Sequence, residues 1–166
     1  MAKRLLFDFR LMFRYPSEAS AQVARELLGS TLQEVERPGE YWLRRAMGHY
    51  LLARFDDALR AIGLALSHDA RTAEAHHLKG VCLQLLALEA AQKDAAFPHI
   101  LGDEARQRFD LAKQAFQRAL ELNPDDEESR QMIVGLSFLL GEEQPGELDH
   151  VNAGAGAAEV PEVHDD

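Results

Sequence analysis

The chain has 166 residues, 46% of them hydrophobic but only 7% aromatic, with a net charge of −10 and a single cysteine. That length suits one domain with a real core. The acidity excludes a nucleic-acid partner, which calls for a basic surface, and Cys82 alone can make neither an internal disulfide nor a zinc cluster.

Residues 1–16 form an aromatic and basic segment in which Phe7, Phe9, Leu11, Phe13 and Tyr15 alternate with Asp8, Arg10, Met12 and Arg14. This is the period of an extended strand; wound as a helix, the segment would scatter its arginines around the circumference. Three uses are open to it: packing on its own domain, docking to a partner or second copy, or resting on an anionic membrane surface, the least favoured of the three. Asp8 and Arg10 break the apolar stretch that a secretory signal needs, and no run of about eighteen apolar residues exists to span a membrane, so a cytoplasmic protein is expected.

A helical domain is predicted over 17–141. Ser17 is placed to cap a first helix over 17–36, whose Ala24, Leu27, Leu28, Thr31, Leu32 and Val35 recur at steps of three and four, and Arg37-Pro38-Gly39 is expected to end it. A second helix is predicted from about Glu40 to Ala53 and a third from about Asp56 to Ser67. A fourth starts near Thr72 and turns Leu78, Cys82, Leu85 and Leu88 inward. The next apolar face is Ala105, Phe109, Ala112, Phe116 and Ala119, after which Asn123-Pro124-Asp125 stops that helix and caps a last one running to Leu140. The tail over 142–166 contains eight acids and no lysine or arginine, is rich in Gly, Ala and Pro, and is expected to be disordered.

One phrase occurs twice. Arg54-Phe55-Asp56 and Arg108-Phe109-Asp110, 54 residues apart, each open an amphipathic stretch with Ala four residues after the Arg. Two sets of residues fall at matched places, with small ones at Ala46, Ala58, Gly80 and Ala112: Trp42, Arg45, Ala46, His49, Ala58, Ile62 and Ala70, then His76, Lys79, Gly80, Leu83, Ala112, Phe116 and Pro124. This pattern resembles the tetratricopeptide repeat, a helix-turn-helix unit of about 34 residues. The resemblance covers Gly39 to Gly141, although Arg45 and Lys79 stand where the family usually has Leu, and His76 where it has Trp. It implies an all-α fold of stacked antiparallel helix hairpins, a TPR-like α-solenoid. Its parts would be a capping helix over 17–36, repeat 1 over 39–71, repeat 2 over 72–124 and a closing helix over 125–141. The 54-residue spacing leaves about 20 residues beyond one repeat, an insertion over about 87–108. The simplest expectation is an extended helical arm in the second repeat; a short helix folded back on the domain is the alternative.

The resemblance also implies where a ligand would lie. Partners of the family lie along the first helix of each unit, which here means Leu43, Met47, Tyr50, His77, Val81 and Gln84. This surface is mainly apolar, and Leu43, Met47 and Leu78 replace the Lys and Asn of members that clamp chaperone carboxylates. It therefore suits an apolar helix or extended peptide, unless residues 1–16 of the same chain cover it. Phe97, Ile100 and Leu101 would add a contact at the arm tip. Met132, Leu136, Phe138 and Leu139 lie on a closing helix that is apolar nearly all round, and point to self-association, with a homodimer favoured.

No catalytic residues, cofactor or metal are expected. The adjacent His76 and His77 point about 100° apart on a helix, and no phosphate cradle, nucleophile elbow or HExxH motif occurs. His49 and His76 are expected to be hydrogen-bonded core histidines. The expected function is a non-enzymatic adaptor or chaperone-like protein that binds a protein or peptide partner. A secretion-type chaperone and a self-assembling structural protein are the alternatives.

Overall fold

The computed structural model describes residues 17–29, 38–69, 71–93 and 101–142. These residues contain six helices and no strand: α1 (Glu18–Gly29), α2 (Pro38–Leu51), α3 (Phe55–His68), α4 (Ala73–Lys93), α5 (Asp103–Leu122) and α6 (Glu127–Leu140). The described chain is all-α. Each helix packs chiefly on the one before and the one after it, with a lighter contact between α2 and α4. Among the described residues, no helix is long and apolar enough to cross a membrane.

The Ser17 hydroxyl accepts from the Ser20 amide at 3.1 Å, capping α1 as the sequence suggests. Only Ala24 of α1 is buried, and the helix is held in a notch cut by Gly48 of α2. A Cβ at Gly48 would lie 2.8 Å from the Leu28 side chain, so any larger residue would push α1 outward. Arg45 adds a hydrogen bond to the Leu28 carbonyl at 3.0 Å, satisfying a carbonyl that the helix end leaves free.

Pro38 and Gly39 do not close the first helix. They lie in the first turn of α2, where a missing N–H costs nothing because the helix needs no donor there. Residues 30–37, including Thr31, Leu32 and Val35, lie outside the described set. The turn from α2 to α3 is tight: the Leu52 and Arg54 amides both donate to the His49 carbonyl, at 3.1 and 3.0 Å. Ala53 takes the left-handed conformation there, with φ 55°.

Small residues set how closely the helices approach. Ala46 and Ala58 are fully buried between α2 and α3, and Ala112 is fully buried in α5. Gly80 of α4 lies against the Phe116 ring, where a Cβ would sit 2.7 Å from a ring carbon. Phe109 and Phe116 are the largest fully buried side chains. The hairpin that contains them is also the longest, with helices of 21 and 20 residues against 14 for α2 and 14 for α3. Leu85, Leu86, Ala87 and Leu88 are all buried. Four consecutive residues cover most of a turn, so α4 has no polar face here. Phe97 and Ile100 lie outside the described residues, whereas Leu101 is half-buried against the core.

The closing helix is fixed at both ends. The cap of α6 is Asp126, one residue beyond the tripeptide expected from sequence; its carboxylate accepts from the Ser129 amide at 2.9 Å. The far end stops at Gly141, with φ 73°, where the Glu142 amide donates to the Ser137 carbonyl at 3.0 Å. Arg106 of α5 donates to the Leu140 carbonyl at 3.2 Å, and Lys113 pairs with Glu142. The acidic tail from 143 onward lies outside the described residues.

Candidate functional site

The strongest polar cluster lies where α4 meets the start of α6. The Ser129 hydroxyl donates to an Asp126 carboxylate oxygen at 2.6 Å. It has one proton to give, so the 2.8 Å contact with His77 Nδ1 requires the imidazole to donate to the Ser129 oxygen. His77 Nδ1 also stands 3.4 Å from Asp126, and its Nε2 stands 3.8 Å from Glu128. The ring meets Phe116 edge-on at 5.4 Å. Burial alone would raise the Asp126 pKa, but two hydrogen bonds from Ser129 and the adjacent His77 outweigh it and hold the carboxyl below its ordinary value.

Serine, histidine and aspartate side by side suggest a nucleophile relay. The hydrogen bonds run the wrong way for one, because the serine proton goes to the carboxylate and not to the imidazole, and Ser129 has no exposed surface. The cluster is a helix cap extended across an interface, and it pins α6 against α4.

Of the residues expected to line the groove, His77 belongs to this cluster. Tyr50 of α2 is held up to about 12, mainly by burial, with Cys82 of α4 and Glu128 of α6 adding to the rise. A lighter contact joins α2 to α4, and His77 of α4 stands 3.8 Å from Glu128 of α6. Tyr50 and Val81 are half-buried against the core, and Gln84 is half-buried, while Met47 is 39% exposed. Leu43 is half-buried against the same core and lines an open cleft of about 800 Å³ with Glu40, Asp69, Arg71, Thr72 and Glu74, at the starts of α2 and α4. Thr72, the expected cap of α4, instead donates its hydroxyl to the Asp69 carbonyl at 3.1 Å.

Two further expectations need correction. Leu136 is 1% exposed and belongs to the core, and Met132 and Leu139 pack partly against it, so of the residues marked for self-association only Phe138, 71% exposed, stands clear. Val134, one turn before Phe138, joins it on that surface. His49 is not the hydrogen-bonded core histidine expected: its Nδ1 is buried without a partner. Burial shifts its pKa downward, against an opposing pull from Asp57. His76 is half-buried.

Among the described residues, no group of three His, Cys, Asp or Glu side chains is arranged to hold a metal ion. Cys82 is fully buried, and its thiol is pushed up to about 12 by burial. Sequence reasoning missed Asp126, Ser129 and Glu128 as neighbours of His77. The Asp126–Ser129 spacing is a visible capping signal, but nothing local joins it to a histidine 52 residues away. Comparison with family models, with curated proteins and with solved structures returned no match.

Proposed function

We propose that this chain is a non-enzymatic, cytoplasmic adaptor of the tetratricopeptide type, holding an apolar helix or peptide of a partner protein across α2, α4 and α6. The observation that carries the reading is the contact of α2 with α4 and of His77 in α4 with Glu128 in α6, together with an open Met47 on α2 and a half-open Val81 on α4. On this reading α2, α4 and α6 present one face, bordered by apolar side chains and ending in the Glu128 carboxylate. Neighbour-on-neighbour packing and the close approaches at Ala46, Ala58 and Gly80 support the solenoid arrangement. The long α4–α5 hairpin supports the extended second repeat.

Met47→Glu tests this reading. The side chain is open to solvent, so the variant should keep its far-ultraviolet circular dichroism and melting temperature. It should lose the proteins that wild type retains in affinity purification with mass spectrometry. Retention of the same partners by the variant would move the site elsewhere. Tyr50→Glu is a poorer probe, because Tyr50 is partly buried and the change would unsettle the fold.

A specific observation also favours self-association. Phe138 and Val134 are exposed one turn apart on the last described helix, where a further helix of a repeat stack would otherwise lie. Phe138→Ser should convert any dimer seen by light scattering to monomer without altering partner capture at the Met47 face.

A further inference from the structure

Among the described residues, His49 alone carries an enclosed side-chain polar atom without a partner, its Nδ1. The residue as a whole is half-buried, so it is the Nδ1 edge of the ring that is sealed off. A neutral ring tolerates this, because its proton can sit on Nε2 and Nδ1 then forgoes only an accepted hydrogen bond. A protonated ring carries N–H on both nitrogens. It would bury a charged donor with nothing to receive it, which costs far more.

The surroundings add to that cost. Arg45 on α2 itself, Arg54 in the turn and Arg60 on α3 all oppose a positive ring, and only Asp57 on α3 favours one. Asp57 is already paired with Arg60. Among the described residues, no charged group of α1 or α4 acts comparably.

His49 also holds a joint in the backbone. Its carbonyl receives the Leu52 and Arg54 amides, which turn the chain from α2 into α3, and Ala53 between them is left-handed. The Arg54 carbonyl in turn receives the Ala58 amide in the first turn of α3. The sealed ring and the corner therefore belong to one residue.

We propose that His49 is an acid-sensitive latch on the α2–α3 corner, which stays closed around the neutral ring and opens when the ring is expelled to take a proton. Burial, with the three arginines and against Asp57, lowers the folded-state pKa from the ordinary 6.5. The latch is therefore fully closed above pH 6.5 and weakens as pH falls below it toward the folded value. Asp126 acts in a lower window, below about pH 4. Any effect on partner capture, through Met47 two residues before His49, rests on the adaptor reading; the latch does not, and its test needs no partner.

Two measurements on the full-length chain decide it. In a proton NMR titration, the His49 ring, assigned by its loss in His49→Gln, should take up its proton below pH 6.5. Deuterium exchange, corrected for the intrinsic pH dependence, should then show the Leu52, Arg54 and Ala58 amides losing protection relative to those around Phe116. That loss should reach up to about eightfold between pH 7 and 5.5, the limit set by an opened state that titrates at the ordinary histidine value. In His49→Gln the same ratio should not move. A ring that titrates at or above 6.5, corner and Phe116 amides that lose protection in parallel, or an equal loss in His49→Gln would each overturn the proposal. The wild-type titration and exchange stand by themselves if the variant does not fold.

Discussion

The hairpins α2–α3 and α4–α5 use small residues for opposite ends. In the first, alanines at 46, 58, 61 and 65 are buried, as are Phe55 and Ile62, and the helices stay at 14 residues each. In the second, Gly80 makes room for the Phe116 ring, and the helices lengthen to 21 and 20 residues. Small residues in the first hairpin let backbones approach; in the second they admit an aromatic ring. The second hairpin therefore holds the larger share of buried apolar volume, and the first keeps more of its surface free for contact.

The largest effect should come from emptying the second hairpin. Phe116→Ala should cost about 3–5 kcal/mol in urea unfolding, against about 0.5–1.5 kcal/mol for Ile62→Val in the first hairpin. Comparable losses from the two would mean the burden is shared. Gly80→Ala should cost about 1–3 kcal/mol, because the new methyl meets a ring that is itself enclosed. The contrasting change is Gly63→Ala in α3, where nothing lies within 4 Å of an added Cβ. It should raise stability by about 0.5–1 kcal/mol through helix propensity alone.

A third test bears on the junction between the second hairpin and α6. The Asp126 carboxyl is held below its ordinary value in the folded chain, so its contribution is present above the unfolded value and is lost as pH falls through the folded one. The melting-temperature gap between wild type and Asp126→Asn should be constant above about pH 5 and close as pH falls below about 4. A gap unchanged to pH 2 would show that Asp126 acts through packing alone. The smallest change is Ala53→Gly, which relieves a left-handed alanine in the α2–α3 turn and should gain about 0.5–1 kcal/mol in the same unfolding measurement.

Much of the helical layout was legible because apolar residues recur at steps of three and four, and Ser17 and Gly141 mark two helix ends by ordinary capping chemistry. Pro38 misled because proline stops a helix from within but starts one at its first position, and the sequence alone does not say on which side of the boundary it falls. Leu136 was visible in the stripe Ser129, Met132, Leu136, Leu140, yet the apolar residues around it hid which face turned inward. Gly48 gave no local sign, since a mid-helix glycine announces a close approach without naming the partner. His77, Ser129 and Asp126 are joined only by tertiary packing, and local patterns carry no record of that.

The order in which the helices rest on one another has a kinetic consequence. Contacts between chain neighbours need no long loop to close before they form, so assembly can spread outward from the α4–α5 pair at the speed of local chain motion. The reverse process should begin at the rim, where α1, anchored by one buried alanine and the Leu28 notch, can lift away and reseat while the remaining helices hold. Amides of α1 should then trade deuterium orders of magnitude sooner than those around Phe116, giving the molecule a loose leading edge on a slow interior.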